Sequence, residues 1–254
     1  MDYFAKSAAK ELEYPGSIAV GDSGNGVRRL QEWLSLSGFG TTVDGKYGDA
    51  TEAALALFRA KAKLAAANGL DQPTWESLVR PMANLVSPNV ATSGPLSQTT
   101  LRIAKLHLAA APLEVGGPNC GPWVRAYMSG NQGRDWPWCA GFVTCIVSQA
   151  AGLMGLPAPT PRTFSCDSLA KDAQASGRFI RGKSVDPSSW NGACRIFLVR
   201  ATANDWTHTG FAFANDGPVF KTIEGNTNDS GGSDGYEVTS RTRSMDGKDF
   251  IQLD

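Results

Sequence analysis

The stretch DWPWCAGFVTCIVSQAAG, Asp135 to Gly152, sets a cysteine behind a Trp-Pro-Trp turn and ahead of an apolar helical run. A thiol attacks as its thiolate, and a helix N-terminus, a nearby imidazolium and partial exposure all favour that form. Cys139 has the first of these by sequence. Pro137 lacks a backbone N–H and fits just before or inside a helix start, and Phe142, Val143, Ile146, Val147 and Ala150 give the helix an apolar side. Only two histidines exist, His107 and His208. His107, in RIAKLHLAAAP, falls beside the helix face made by Ile103, Leu106 and Ala110 and reads as a surface or boundary residue. His208 begins a predicted strand in DWTHTGFAFAN, where an imidazole can project from a rigid sheet towards a cleft. On the next predicted strand, TIEGNTN, Glu224 and Asn226 alternate with Gly225 and share a side. Either can accept the second ring N–H and fix the tautomer, if an antiparallel hairpin brings His208 and Glu224 together.

The remaining cysteines carry plainer readings. Cys145 lies mid-helix among Val143, Ile146 and Val147 and reads as a small core residue. Cys166 and Cys194 sit in loop-like text without Cys-x-x-Cys spacing, and Cys120, in GGPNCGPWV, has no partner that the sequence names. Two histidines and scattered cysteines define no metal site, and no Asp-x-Asp-x-Asp-Gly loop offers one for calcium, so neither metal nor cofactor is expected. Five cysteines in 254 residues are too few, and odd in number, for a disulfide framework.

The elements that must position these groups divide the chain. PMANLVSPNVATSGPLSQTT, from Pro81, has linker composition, with three prolines among Ser, Thr and Asn. Before it the text is Ala- and Leu-rich and helical. Val27, Leu30 and Leu34 recur at helical spacing, TEAALALFRAKAKL places Ala54, Leu57, Phe58 and Leu64 on one face, and a third helix starts near Gln72 with Pro73 in its first turn and Trp75 and Leu78 inward. After it come helical runs at Leu96 to Ala111 and Cys139 to Ala151, then short β-rich runs: RIFLV, HTGFAFAN, VFKTIEGN and YEVTSRTR. Helices first and strands last predict an α+β domain with an antiparallel sheet. The resulting division is a three-helix bundle at 1–80, a linker at 81–95 and an α+β domain at 96–254.

Composition narrows the partners. Lys plus Arg equals Asp plus Glu, 24 each, so nothing supplies the basic field of a nucleic-acid binder. No stretch reaches the roughly 20 apolar residues of a membrane span, so no membrane insertion is expected. Met1 to Gly16 lacks the basic start and apolar middle of a signal peptide. The expectation is synthesis in the cytoplasm, with a monomer as the default state.

Two resemblances add to this reading. EVGGPNCGPWVRAYMSG, WPWCAGFVTCIVSQAAG, THTGFAFA, TIEGNTN and GYEVTSRTR, spread in order over Leu96 to Asp254, resemble a CHAP domain, the cysteine, histidine-dependent amidohydrolase/peptidase group of papain-like bacterial wall enzymes. The resemblance implies Cys139 as nucleophile, His208 as base, and Glu224, with Asn226 close behind, as the residue that orients the histidine. Cys120 departs from that pattern, at a position where a polar or basic residue is expected. GDSGNGVRRLQEWLSLSGF, VDGKYGDATEAALALFRA and NGLDQPTWESL resemble the three-helix peptidoglycan-binding domain. That likeness points to Asp44, Tyr47 and Thr51 for a glycan or stem-peptide groove, although each reads equally well as a turn or core residue.

Together the resemblances imply a peptidoglycan hydrolase that cleaves a wall amide, either muramoyl-alanine or a bond of the stem peptide or cross-bridge, through Cys139, His208 and Glu224. Trp136, Trp138 and Trp206 flank nucleophile and base in sequence and are candidates to line the cleft, with a place in the wall of the core expected for at least one of them. The reading leans to a phage endolysin, with a wall-degrading toxin delivered by a secretion machine as the alternative, each acting on the wall after release or delivery. So does a different class, a non-catalytic wall-binding protein with a buried Cys139. Thiol reactivity separates that last reading from the enzymes.

Overall fold

The structure is a computed structural model that describes residues 3–185, 190, 192–228 and 235–254. Within these residues the chain forms eight α-helices, one short 3-10 turn and six strands. Helices α1 (Tyr3–Leu12), α2 (Asn25–Leu36), α3 (Asp49–Ala62) and α4 (Gln72–Val86) come first. Asp71 caps α4 by accepting from Thr74 N, with Pro73 in the first turn, where its missing N–H costs nothing. Helix α4 runs through Pro81 to Val86, so the expected boundary at 81 falls inside a helix and the extended connection is 87–95. One interior proline removes a single hydrogen bond, and the buried Leu78, Met82 and Leu85 hold the helix across it.

Leu57 is a correction. Thr51, Leu55 and Phe58 form the buried face of α3 at i, i+4 and i+7, which leaves Leu57 beyond its edge and 61% exposed. The loop between α2 and α3 is closed by the buried Gln31. Its Nε2 donates to Asp44 Oδ1 (3.0 Å), Lys46 O (3.0 Å) and Thr51 Oγ1 (3.3 Å), and its Oε1 accepts from Gly45 N (2.8 Å).

Beyond the connection lie α5 (Leu96–Ala109), α6 (Pro122–Tyr127), α7 (Cys139–Leu153) and α8 (Cys166–Ala175). The strands β1 (Phe179–Arg181), β2 (Arg195–Thr202), β3 (Asp205–Asp216), β4 (Val219–Thr227), β5 (Glu237–Ser244) and β6 (Lys248–Ile251) follow. They make one sheet in the order β1-β6-β2-β3-β4-β5, with every pairing antiparallel. Helix α7 is buried on all sides from Cys139 to Ala151, which is why its text is apolar almost throughout rather than on one stripe. Phe142 meets Phe211 of β3 on one face of the sheet, and Trp190, Phe197, Phe220 and Phe250 gather in a separate aromatic cluster.

The two halves are packed against each other. Trp33 of α2 meets Trp123 of α6 edge to face at 6.2 Å, and Phe4 of α1 meets His107 of α5 at 4.8 Å. His107 is fully buried, contrary to the surface or boundary position expected of it. Gln149 donates its amide to Leu85 O at 2.5 Å, so its Oε1 accepts from His107 Nε2 (3.1 Å), and the Tyr127 hydroxyl serves Nδ1 (2.8 Å). Burial pushes the imidazole down to about 4 despite the Gln149 bond, so this ring is neutral and ties α5 to α6 and α7, with Gln149 carrying the link on to α4.

Arg125 of α6 is the polar counterpart. It donates to both oxygens of Glu11 in α1 (2.8 and 2.7 Å) and both oxygens of Glu32 in α2 (3.1 and 2.7 Å), all three side chains being largely buried. Removing one member of such a cluster strands the others in a poor solvent. Arg125→Ala is therefore expected to lower stability by ~3–5 kcal/mol, measured by urea unfolding at neutral pH. Adding Glu11→Gln and Glu32→Gln to that variant should recover part of the loss.

Candidate active site

Cys139 is the first residue of α7. Trp138 precedes it with φ −109° and ψ 12° and supplies no side-chain cap, so the positive end of the helix meets the thiol directly. Trp138 is itself pinned: its indole stacks on Tyr127 (5.7 Å, 9° between planes) and its Nε1 donates to Glu114 Oε1 at 2.8 Å.

The strand pair supplies the opposing groups. β3 and β4 are antiparallel, with Phe211 opposite Ile223, and extending that register by one residue sets Gly210 opposite Glu224. A Cβ on Gly210 would lie 2.9 Å from Glu224 Cγ and 2.7 Å from Phe197 Cε1, so the glycine clears the space that the carboxylate arm occupies. Gly225 faces the other way, where a Cβ would come within 2.7 Å of Trp138 and 2.8 Å of Phe142. The start of α7 can thus press on the sheet beside Glu224 only because Gly225 has no side chain.

His208 Nε2 lies 2.8 Å from Glu224 Oε2. A carboxylate only accepts, so Nε2 carries its hydrogen, and Nδ1, which has no hydrogen-bond partner, is the ring nitrogen open to the Cys139 thiol with which this histidine interacts. Glu224 is fully buried but well satisfied. Besides His208 it accepts from Thr222 Oγ1 (2.5 Å) and from Arg243 Nε and Nη2 (2.6 and 2.5 Å). On the far side of the thiol, Cys166 Sγ lies 3.7 Å from Cys139 Sγ.

Charge follows from this arrangement. Burial alone would raise Glu224, yet the Arg243 guanidinium and then His208 hold it at about 2. Burial alone would lower His208, yet Cys139 and Glu224 together push it up to about 9. The Cys166 thiol, donating to the sulfur, takes Cys139 well below the ordinary thiol range against the cost of burial, with His208 adding to the effect. A thiolate facing an imidazolium, oriented by a carboxylate, can attack a carbonyl carbon and hand a proton to the departing group.

The sequence-derived candidates fall in different places. Cys139, His208 and Glu224 are together. Asn226 is buried two residues beyond Glu224 in a left-handed backbone conformation (φ 58°), and it is Glu224 that holds the ring nitrogen. Of the three candidate cleft tryptophans, only Trp136 is exposed (37%), edge-on to Phe164 at 5.9 Å. Trp138 and Trp206 are core. Trp206 donates to the buried Asp249 at 2.9 Å, which also pairs with Arg181 and Arg200. In the N-terminal half Tyr47 and Thr51 are buried as well, so they build the loop rather than a groove, while Asp44 is exposed with its carboxylate bound to Gln31 and Lys46 N.

Sequence reading missed two members of the site. Cys166 opens α8 rather than lying in a loop, and the capping Ser165, which accepts from Ser168 N, was the available signal. Arg243 had none beyond being one of several alternating polar residues on β5. Among the described residues, no group of three His, Cys, Asp or Glu side chains is placed to hold a metal ion.

The pKa directions fix a test. Iodoacetamide alkylation of Cys139, read by peptide mapping, should stay fast well below the about 8.5 of a free thiol. Glu224→Gln removes the charge that sustains the imidazolium, so the thiol should rise and the midpoint of the alkylation-rate profile against pH should move up. A midpoint unchanged by that substitution would rule out the coupling. Because His208 is raised above its usual 6.5, its stabilising effect is complete below that value and lost as pH climbs through about 9. The thermal midpoint should fall across that interval, and less so in His208→Gln.

Comparison with known proteins bears on the N-terminal half. No curated protein and no solved structure matches the chain. Residues 23–78 match the model of the peptidoglycan binding domain family. The matched segment takes in α2, α3 and the loop that Gln31 closes, and reaches Leu78 in α4. This chain carries a peptidoglycan-binding domain at residues 23–78.

Proposed function

We propose that the chain is a cysteine-dependent peptidoglycan amidase or endopeptidase of the CHAP kind, with Cys139 as nucleophile. The observation that carries this reading is the buried run Arg243–Glu224–His208 ending at a thiol on a helix N-terminus, in a chain that also bears a peptidoglycan-binding domain. Cys139 Sγ attacks the amide carbonyl, and imidazolium Nδ1 gives its proton to the leaving amine, which departs and leaves a thioester. The now neutral ring takes a proton from water, whose oxygen attacks the thioester. The acid is released and the thiolate–imidazolium pair returns. The Cys139 N–H at the helix start is a backbone donor available to the oxyanion. Arg243 positions Glu224, and Trp136 offers an exposed aromatic face beside the nucleophile for sugar or peptide.

The docked halves set how this is tested. Cutting away the first domain would bare Trp123 and the Arg125 cluster, so variants belong in the full chain. Purified peptidoglycan digested by wild type should yield defined fragments whose masses name the bond, and Cys139→Ala should yield none. His208→Ala should lose roughly 100- to 10,000-fold. Wall pull-down by all three proteins at equal level would separate binding from cleavage. An inert wild type that still pellets with the wall would leave a binding protein and end the hydrolase reading. If the reading holds, activity falls above about pH 9 as His208 loses the proton it must donate.

A further inference from the structure

Cys166 has no role in the hydrolysis outlined above, yet its sulfur is 3.7 Å from that of Cys139 and both are nearly buried. The pair is held rather than incidental. Cys139 opens α7 and Cys166 opens α8, so two helix N-termini converge on the two sulfurs. Ser165 caps α8, and Asp167 Oδ1 accepts from Trp206 N at 2.8 Å, which ties the start of α8 to β3 two residues before His208. The other cysteines are elsewhere: Cys145 reaches towards Ala126 O, Cys194 donates to Ser97 O, and Cys120 to Pro118 O.

We propose that Cys139 and Cys166 are a redox pair, a built-in modification site at which peroxide converts the nucleophile reversibly to a Cys139–Cys166 disulfide. The loss of activity this implies rests on the hydrolase reading, but the disulfide itself does not. The Cys139 thiolate attacks a peroxide oxygen; the O–O bond breaks, hydroxide leaves and takes up a proton as water, and Cys139 becomes a sulfenic acid. The Cys166 sulfur then attacks the Cys139 sulfur, the S–O bond breaks, and the departing hydroxide takes the Cys166 proton to leave as a second water. The two thiols have lost two electrons and the peroxide has gained them. A disulfide spans about 2.04 Å, so the sulfurs must close by roughly 1.7 Å from contact, within the reach of side-chain rotation. The charge states suit the order of events. Cys139 is the anion, whereas the thiolate beside it, burial and Asp167 keep Cys166 protonated until the sulfenic acid forms. An external dithiol reverses the process by exchange. The immediate neighbour thus intercepts the sulfenic acid before it is oxidised further, which would be irreversible.

The test uses the full chain, hydrogen peroxide and intact-mass and peptide analysis. Treated wild type should become about 2 Da lighter, two hydrogens lost, and trypsin should release 135–162 joined to 163–171. Fragmentation must place the bond at Cys139 rather than Cys145. Dithiothreitol should return the thiols, and with them any wall-digesting activity. Cys166→Ser, checked for folding by circular dichroism, should instead gain about 32 Da at Cys139 and stay oxidised in dithiothreitol. Oxygen addition at Cys139 of wild type without the 139–166 link, or a link from Cys139 to any other cysteine, would overturn the proposal. That map needs no variant to fold and no activity. A cross-link in a protein inert towards peptidoglycan would sink only the hydrolase reading, and digestion without a cross-link only the redox pair.

Discussion

A carboxylate with no exposure to water is costly unless each oxygen has donors, and Glu224 meets that condition through Arg243, Thr222 and His208 at once. Everything at the site depends on this satisfied charge. It fixes the His208 ring by the hydrogen on Nε2, leaves Nδ1 for the sulfur, and raises the imidazole so that it can sit charged beside a thiolate. Without Arg243 the carboxylate would be a poor partner, since burial would favour its protonated form. The chain of charges is alternating, positive to negative from Arg243 to Cys139, and each member is the condition for the next.

A second constraint is steric and lies in the glycines between these charges. Gly210 and Gly225 belong to adjacent strands and open opposite spaces, one for the Glu224 arm and one for the aromatic start of α7. The sheet can then receive a helix end at the strand that carries the acid. The same economy recurs at Asp249, where one buried carboxylate holds Arg181, Arg200 and the Trp206 indole and so anchors the strand that bears His208. Trp206 is therefore a support of the site and not a wall of its cleft.

The peptidoglycan-binding domain is joined to the rest by packing as well as by chain. Arg125 between Glu11 and Glu32, Trp33 against Trp123, and Phe4 against His107 make an interface that fixes how the N-terminal half is presented beside the candidate site. Such a contact removes the freedom that a flexible tether would allow and replaces it with a defined orientation. The peptidoglycan-binding domain and the candidate site are thus held as one body.

Local order determined what could be read in advance. The apolar run after Pro137, the β-rich text around His208 and Glu224, the helical spacing of α2, α3 and α4, though not of α1, and the Pro73 start were legible because periodicity, caps and strand alternation are properties of neighbours in sequence. Cys139, His208 and Glu224 followed from those elements plus one hairpin. What the sequence left undecided is what depends on distant residues meeting. His107 was read from its own helix, and only the packing of α1, α6 and α7 against α5 buries it. Tyr47, Thr51, Trp138 and Trp206 are polar-tipped or aromatic, types that suit a groove and a core equally, and the surrounding contacts chose the core. Arg243 and Cys166 lie 19 and 27 residues from the groups they serve, and no spacing rule links them. Burial and long-range charge pairing are set by the whole fold, because the dielectric and the partners around a side chain come from elements that a local pattern does not contain.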